Sequence, residues 1–341
     1  MDIQANISLK KFNTFGIDAH ARYFSRFKSI EELHDLIDLQ RSSIVDLPSS
    51  IVLGGGSNIL FSKNYDGLVL KNELQGIKKI KEDEHHVYVQ AAAGENWHQF
   101  VLYCIENNLA GIENLSLIPG NVGASPMQNI GAYGVEIKDV FEYLEAYSIK
   151  EKALHTFSLN DCELGYRDSI FKRKYKNEFI ITSVTYRLNK QPHFNLSYGA
   201  IKDELEKMKV QKLSIKAISQ AVINIRSSKL PDPAKIGNAG SFFKNPTVSR
   251  SIFESLKNKF PGIVGYDVPA NEVKLAAGWL IEQCGWKGFR KGDAGCYDKQ
   301  ALVLVNYGIA TGDEIYNLSE DILQSVKQKF GVTLEREVNI L

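Results

Sequence analysis

The feature that most constrains the fold is a long stretch of small residues, from Ile118 to Gly134, with neither helical nor strand periodicity. Glycine, alanine and serine leave backbone amides uncovered over this length, which suits wrapping a large flat ligand better than filling a core. Regular elements on either side must supply the scaffold. We therefore expect a domain that presents loops to a ligand.

A second glycine-rich segment, Gly54–Asn58, follows the apolar run Ser50–Leu53 and precedes Ile59–Phe61. It is not the dinucleotide fingerprint, because Ile59 stands where the third glycine is required, and it lacks the lysine of a Walker loop. Two interpretations remain open: a nest of backbone N–H groups that holds pyrophosphate oxygens, or a tight β-turn. Together, the two segments favour a cofactor that has both a pyrophosphate and a flat ring.

Apolar periodicity predicts regular elements along the whole chain. Strands are predicted at Gly67–Leu70, Val87–Ala91, Phe179–Leu188 and Ala301–Val305, and helices over 29–39, 95–107, 214–229, 274–283 and 311–330. At 341 residues the chain is long enough for two or three domains, and the proline pair at Pro231 and Pro233 is the candidate boundary. The fold class expected is α+β.

The charge balance points to a small-molecule partner. The 41 basic and 40 acidic residues nearly cancel, so neither nucleic acid nor a membrane surface is an expected partner. Four cysteines without a C-x-x-C pair, and no clustered histidines, argue against a zinc site and a disulfide framework, so no metal is expected. The opening residues lack a signal-peptide pattern and no apolar run approaches the length of a membrane span, which predicts a cytoplasmic protein.

Two polar segments are candidates for chemistry. Gly237–Pro246 presents Ser241 between glycines and a terminating proline, and it is either a reaction site or a plain turn. Arg167 carries a planar fork of donors that can stabilise a carboxylate or a developing oxyanion. The alternative for Arg167 is a weak surface ion pair with the adjacent Asp168.

The C-terminal segment Val332–Ile340 alternates apolar and polar residues, which predicts a strand with Glu335 and Glu337 on one face. Two carboxylates that face water would be unremarkable. In a closed cleft, one of them could stay partly protonated and serve as an acid.

From Asn13 onward the chain resembles the UDP-N-acetylenolpyruvoylglucosamine reductase family, MurB. The resemblance rests on six segments in family order: Asn13-Thr14-Phe15-Gly16, Gly54–Asn58, Pro119–Gly134, Gly165-Tyr166-Arg167-Asp168-Ser169, Gly237–Pro246 and Leu334-Glu335-Arg336-Glu337-Val338. The segment Leu196-Ser197-Tyr198-Gly199 resembles the first type of the family, whose tyrosine closes over bound substrate. At Arg336 the segment departs from one relative in the family, which has proline before the glutamate.

The resemblance implies an FAD-binding domain of the vanillyl-alcohol-oxidase/p-cresol methylhydroxylase type over 1–190, in two α+β subdomains. It further implies a connecting segment over 191–230 with the Tyr198 loop and a helix, a smaller α+β substrate-binding domain over 231–331, and a C-terminal strand over 332–341 that returns to the active-site cleft. FAD would be bound noncovalently by Gly54, Gly55, Gly56, Ser57, Asn58, Pro119, Gly120, Gly123, Ala124, Ser125, Gln128, Asn129, Gly131, Ala132, Tyr133 and Gly134.

The same resemblance implies the reaction. NADPH would reduce FAD, and the enolpyruvyl ether of UDP-N-acetylglucosamine-enolpyruvate would then be reduced to UDP-N-acetylmuramate, a precursor of peptidoglycan, by a monomer. Arg167 and protonated Glu337 would lie near the substrate carboxylate, and Ser241 would protonate C2. The substrate-binding residues carried over are Tyr198, Lys229, Asn245, Tyr266, Lys274 and Gln300.

Two other functions stay open from the sequence. Another flavoprotein of the same fold, such as an alcohol oxidase, often tethers its flavin through histidine, and neither glycine-rich segment contains one. A noncatalytic nucleotide-binding module would keep the glycine-rich segments without needing Arg167, Ser241 and Glu337 together.

Overall fold

The structure, a computed structural model, describes residues 2–41 and 49–341. The chain forms two compact units whose segments alternate along the sequence. The first unit consists of Met1–Ile7, Ala21–Gly55 and Asp66–Ser228, and the second of Ser8–His20, Gly56–Tyr65 and Lys229–Leu341. Two short segments from the N-terminal part of the chain thus belong to the same unit as its C-terminal third.

Strands and short connections dominate the described residues up to 190. In chain order the elements are β1 (Gln4–Ser8), β2 (His20–Phe27), α1 (Ile30–Arg41), β3 (Ser50–Leu53), β4 (Ile59–Leu60), β5 (Tyr65–Asn72), β6 (Ile77–Glu82), β7 (His86–Ala92), α2 (Trp97–Glu106), β8 (Gly131–Ala132), β9 (Val135–Glu136), β10 (Phe141–Ser148), β11 (Ala153–Ser158), α3 (Leu159–Cys162) and β12 (Phe179–Asn189).

Helices are more frequent in the rest of the chain. The elements there are α4 (Gly199–Lys207), α5 (Ile215–Lys229), β13 (Gly237–Ser241), β14 (Thr247–Ser249), α6 (Arg250–Lys259), β15 (Gly265–Val268), β16 (Glu272–Leu275), α7 (Ala277–Gln283), β17 (Arg290–Lys291), β18 (Ala294–Cys296), β19 (Val303–Asn306), α8 (Gly312–Phe330) and β20 (Asn339–Ile340).

The first unit contains two main sheets. One has the strand order β1-β2-β5-β3, with β3 parallel to β5, and its apolar face meets α1 through Leu33, Leu36 and Ile37. The other is antiparallel, with the order β11-β10-β12-β7-β6. Its central strand β12 reads Phe-Ile-Ile-Thr-Ser-Val-Thr-Tyr, and such β-branched and aromatic side chains favour a buried strand.

The core of the antiparallel sheet positions the long glycine-rich stretch. Trp97 and Phe100 of α2 pack against Tyr186 of β12, with ring centroids 5.0 to 5.9 Å apart. Just beyond β7, backbone hydrogen bonds run from Gly123 N to Ala93 O (3.0 Å) and from Val122 N to Glu95 O (2.9 Å). The glycine-rich stretch is therefore fixed to the end of a sheet strand.

In the second unit, the sheet β13-β19-β18-β17 contacts the long helix α8. The side chain of Thr311 and that of Glu314 form a reciprocal capping box at the start of α8, as predicted. Gly331 ends the helix in a left-handed conformation (φ 70°) that glycine adopts without strain. A smaller sheet has the order β14-β16-β15, and β20 pairs with β4 in parallel.

Three sequence predictions about secondary structure are wrong. The helix predicted over Lys274–Gln283 begins at Ala277, because Glu272–Leu275 pairs with two other strands. The strand predicted over Val332–Ile340 is reduced to one bridge at Arg336 and the strand β20. Gly237–Pro246 is not a plain turn, one of its two interpretations, because it begins as strand β13 on a sheet edge.

Within residues 2–41 and 49–341, no helix is both long enough and apolar enough to span a membrane.

Candidate active site

Gly54 and Gly55 meet the long glycine-rich stretch inside the first unit. A Cβ atom on Gly55 would lie 2.8 Å from Gly120 Cα and 2.9 Å from Asn121 Oδ1, so only glycine allows this approach. Lys71 Nζ donates to Gly54 O at 2.5 Å, and burial lowers the pKa of this lysine. The backbones of Gly55 and Gly120 thus lie against each other without intervening side chains, which suits a site where backbone N–H groups bind pyrophosphate oxygens.

Gly56, Ser57 and Asn58 belong to the second unit. Gly56 has φ 62°, and a Cβ there would lie 2.0 Å from Phe12 O. Its own carbonyl accepts from Thr14 N at 3.1 Å, which joins this predicted loop to the Asn13–Gly16 motif. The glycine at position 56 is therefore required by the packing of the chain itself.

The remaining residues predicted to bind the cofactor lie in the stretch that leads into β8 and on to the turn before β9. They are Pro119, Gly120, Gly123, Ala124, Ser125, Gln128, Asn129, Gly131, Ala132, Tyr133 and Gly134. Two of them shape the stretch through buried side chains: Ser125 Oγ lies 2.7 Å from the Tyr186 hydroxyl, and Asn129 Nδ2 donates to Gly165 O and Glu136 Oε2 at 3.0 Å each. Any ligand contact from Asn129 would have to come from its backbone.

Arg167 sits in a strained turn and points to the glycine-rich stretch. It has φ 53°, between Gly165 and Asp168, which exchange backbone hydrogen bonds of 3.0 and 3.3 Å. Its Nη2 donates to Gly131 O at 2.8 Å. Asp168 pairs with Arg173 Nε at 2.8 Å, so this carboxylate is engaged by a different arginine. A left-handed conformation at a non-glycine residue is a form of strain that clusters at functional sites.

Arg226, on the last turn of α5, is a candidate site residue that was not predicted from the sequence. Its Nε donates to Leu117 O at 3.1 Å, and its guanidinium interacts with the Tyr133 hydroxyl. Burial lowers the pKa of Arg226, and the charge of Arg167 acts in the same direction. In the part of the chain that the structure describes, no carboxylate forms an ion pair with Arg226. Its position three residues before Lys229, on the same helix face, is the signal that could have identified it.

Tyr198 lies beside the same stretch. Its ring packs edge-to-face on Tyr133, with centroids 5.1 Å apart, and 48% of the residue is exposed. Buried Asn114 donates from Nδ2 to Tyr133 O and Asn195 O, at 3.0 Å each, while Asn195 Nδ2 donates to Gly134 O at 2.9 Å. These bonds hold the segment before Tyr198 against the glycine-rich stretch.

The second unit brings the segments of Ser241 and Glu337 together. Phe243 and Arg336 form an antiparallel bridge, flanked by hydrogen bonds from Glu337 N to Phe242 O and from Lys244 N to Glu335 O, each 2.8 Å. Ser241, the last residue of β13, is exposed just after a bulge in which Gly240 has φ 71°. Bulges re-aim a side chain at a sheet edge, which suits a presented hydroxyl.

Three of the predicted substrate-binding residues surround the small sheet of the second unit. Tyr266 on β15 is the direct cross-strand partner of Lys274 on β16, which places both side chains on one face. Asn245 Oδ1 accepts from Ala277 N at 3.0 Å and so caps α7. Gln300 Oε1 accepts from Leu302 N at 3.3 Å, and Lys229 is exposed at the end of α5.

Comparisons with known proteins show which protein families the chain resembles. Residues 21–156 match a family described as FAD binding domain, and residues 232–341 match UDP-N-acetylenolpyruvoylglucosamine reductase, C-terminal domain. Curated proteins named UDP-N-acetylenolpyruvoylglucosamine reductase from Flavobacterium johnsoniae and Amoebophilus asiaticus are 51% and 53% identical to the chain, and 100% of each chain is covered.

The chain belongs to the UDP-N-acetylenolpyruvoylglucosamine reductase family. The relative from Pseudomonas syringae pv. tomato is 48% identical over 100% of this chain and 99% of its own. The crystal structure of the reductase from Thermus caldophilus has a TM-score of 0.69 at 24% identity, covering 100% of this chain and 99% of that one, which is a likeness of fold.

Several predictions are thereby confirmed. The family resemblance holds over the full length, and the fold is an α+β FAD-binding domain followed by the domain characteristic of these reductases. The protein is an FAD-dependent oxidoreductase of the reductase family, which removes the noncatalytic nucleotide-binding module as an alternative. The individual site residues and the domain boundaries stay predictions.

Proposed function

We propose that the chain reduces the enolpyruvyl ether of UDP-N-acetylglucosamine-enolpyruvate to UDP-N-acetylmuramate, with NADPH as the reductant. Two full-length relatives at 51% and 53% identity bear the name of this reductase. The observation that carries the residue-level proposal is the pairing of Phe243 with Arg336, because it joins the segments of Ser241 and Glu337. In a bacterial cell, the product would serve peptidoglycan synthesis in the cytoplasm.

The backbone around Gly55 and Gly120 fits a bound pyrophosphate, because the two segments meet as closely as only glycine allows and leave backbone N–H groups uncovered by side chains. We assign the noncovalent FAD to this cradle and to the stretch up to Gly134. A flavin held there would supply the hydride, obtained from NADPH, that the terminal vinyl carbon, C3, of the substrate receives. Neither glycine-rich segment contains a histidine that could tether the flavin.

Arg167 and Glu337 act on the charge that develops when C3 gains a hydride. The electron pair of the C2–C3 double bond moves to C2, beside the substrate carboxylate, and preformed donors lower the energy of such a state. Arg167 supplies a fixed guanidinium fork, which Gly131 O and the turn at Gly165 already orient. Protonated Glu337 supplies the second donor.

Ser241 completes the reduction by giving a proton to C2. Its exposure at the end of β13 leaves the hydroxyl accessible to a substrate. An alcohol is a weak acid in water, but orientation beside a carbanionic centre contributes much of the rate. No histidine occurs in Gly237–Pro246 to turn Ser241 into a nucleophile, which favours the acid role.

The remaining candidates bind substrate. Tyr266 and Lys274 share one face of a sheet, where an aromatic ring and a cation together suit the base and the phosphates of a nucleoside diphosphate. Tyr198, Lys229, Asn245 and Gln300 complete the proposed set. The proposal treats the protein as a monomer.

The decisive experiment separates the two half-reactions by stopped flow. Ser241→Ala is expected to leave flavin reduction by NADPH unchanged and to slow flavin reoxidation by the enolpyruvyl sugar by about 10²-fold or more. Glu337→Gln is expected to slow the same step. Ser251→Ala, at an exposed serine of the same unit, is the control and should change neither rate. Reoxidation at the wild-type rate in Ser241→Ala would refute the proton-donor role.

A further inference from the structure

Arg336 lies at the centre of the Leu334–Val338 segment, and its side chain is held by three partners on α8. Its Nε donates to Ser319 Oγ at 2.8 Å and its Nη2 to Glu320 Oε2 at 2.6 Å. The guanidinium also lies 4.6 Å from the centre of the Tyr316 ring. The arginine side chain is only 19% exposed, and Ser319 is fully buried.

Neighbouring side chains of the segment point to opposite sides. Leu334 and Val338, two residues before and after Arg336, are 4% and 3% exposed. Glu335 lies on the other side, where its carboxylate pairs with Lys244. Because side chains alternate along an extended backbone, Glu337 shares the side of Glu335, away from α8.

Direct backbone pairing covers only part of the segment, and beyond Val338 the chain is held by β20, which pairs with β4 through Asn339 and Ile340. In the described chain, the ladder between the segments of Phe243 and Arg336 consists of a single bridge with two flanking hydrogen bonds. A slip by one residue would turn every side chain to the opposite face. It would then bring Glu337 toward Glu320 on α8, in place of the arginine that donates to that carboxylate.

We infer that Arg336 is a positioning residue that sets the register of the Leu334–Val338 segment and thereby the side on which Glu337 acts. This inference rests on the role proposed above for Glu337. Ser319 and Glu320 each accept a hydrogen bond from the guanidinium of Arg336. No other side chain of the segment has two donors that could make both bonds. A buried polar group that specifies register is a well-attested use of such contacts.

The test removes the guanidinium group of Arg336 and keeps an apolar side chain in its place. Arg336→Leu can pack with Leu334 and Val338 but donates no hydrogen bond. In stopped flow, flavin reduction by NADPH is expected to stay at the wild-type rate, while reoxidation by UDP-N-acetylglucosamine-enolpyruvate slows about 10- to 100-fold. Arg336→Lys keeps the charge without the planar fork and should recover part of the rate.

A double-mutant cycle shows whether Arg336 acts through Glu337. In the Glu337→Gln background, Arg336→Leu should slow reoxidation by less than about twofold, because the carboxyl group that it positions is already absent. Hydrogen exchange should also show faster exchange at the amides of Lys244 and Glu337 in Arg336→Leu.

Two further variants separate register from stability. Arg290→Leu is the matched control, because Arg290 also pairs with a carboxylate, Asp293, and lies 4.4 Å from a tyrosine ring centre. It should leave reoxidation unchanged. Glu320→Gln weakens one of the three contacts of Arg336 and should slow reoxidation by a smaller factor than Arg336→Leu does.

The outcomes discriminate between the two proposals. If Glu337→Gln slows reoxidation and Arg336→Leu does not, the register inference is wrong and the role of Glu337 stands. Equal losses from Arg336→Leu in the wild-type and Glu337→Gln backgrounds would also overturn it. If Glu337→Gln itself reoxidises at the wild-type rate, the role proposed for Glu337 fails, and the inference fails with it.

Discussion

Gly56 and Gly331 adopt similar left-handed conformations, with φ 62° and 70°, in different surroundings. A Cβ on Gly56 would overlap Phe12 O at 2.0 Å, whereas one on Gly331 would meet no atom within 4 Å. We predict that Gly331→Ala lowers the free energy of unfolding by about 1 to 2 kcal/mol, from backbone strain alone. Gly56→Ala should lower it by about 2 to 5 kcal/mol, because overpacking adds to the strain.

Urea denaturation of the two variants, each with and without FAD, measures this difference. The larger loss at Gly56 should persist in the flavin-free protein, because the obstructing atom belongs to the chain and not to the ligand. Equal losses at the two positions would contradict the prediction. So would a loss at Gly56 that appears only when flavin is bound.

Helix α2 places His98 where it supports the start of the glycine-rich stretch. Leu117 N donates to His98 Nδ1 at 3.0 Å, which requires the neutral ring, and Leu117 itself has φ 58°. Burial lowers the pKa of His98 below 6.5, and the nearby Arg226 lowers it further. The unfolded chain therefore takes up a proton at a higher pH than the folded protein does.

The consequence is a pH dependence with a defined sign. The stability that His98 contributes is complete above about pH 6.5 and is lost as the pH falls toward its lowered pKa in the folded protein. We predict that His98→Gln flattens the dependence of the melting temperature on pH between 7 and 5. His193→Gln, at an exposed histidine, is the control and should keep the wild-type slope. An unchanged slope in His98→Gln would rule out this role.

Elements with strong local signals were predictable, and elements defined by distant partners were not. The capping box at Thr311 and the apolar face beyond it identify α8, and β-branched residues identify β12. Lys274 was placed in a helix, because the run into α7 looks continuous in sequence while pairing with Tyr266 and Thr247 makes it a strand. Such pairing depends on residues that a local pattern does not include.

The residues of the candidate site also fall into a group that could be predicted from the sequence and one residue that could not. Glycine-rich segments, Arg167, Ser241 and Glu337 were found from residue type and family resemblance. Arg226 was missed because its neighbours in α5 have the ordinary apolar periodicity of a packed helix. Only the fold brings its guanidinium to Leu117 and Tyr133.

At the scale of the whole molecule, the four cysteines report on how tightly the chain is packed. Cys104, Cys162 and Cys296 are buried, and burial raises the pKa of Cys162 and of Cys296 to about 12. Only Cys284 is partly exposed. Burial raises the pKa of Cys284 as well, so its partial exposure decides the order, and we predict that Cys284 reacts with Ellman's reagent at pH 8 before the three buried cysteines do.

All four thiols should react after denaturation in guanidinium chloride. The Cys284→Ser variant should then lose the fast phase and retain three thiols in the denatured state. Rapid reaction of two or more thiols in the native wild-type protein would show that at least one of the buried cysteines is accessible.

The alternation of segments between the two units also dictates an order of events during synthesis. Gly56 and its neighbours hydrogen-bond within a unit whose remaining residues begin at Lys229. At a synthesis rate of about 5 to 20 residues per second, the ribosome completes β19 roughly 10 to 50 s after it adds Gly56. During that interval Ser8–His20 and Gly56–Tyr65 can pair with each other but lack the C-terminal residues of their unit, so a chaperone that acts on the nascent chain would find both segments incompletely packed.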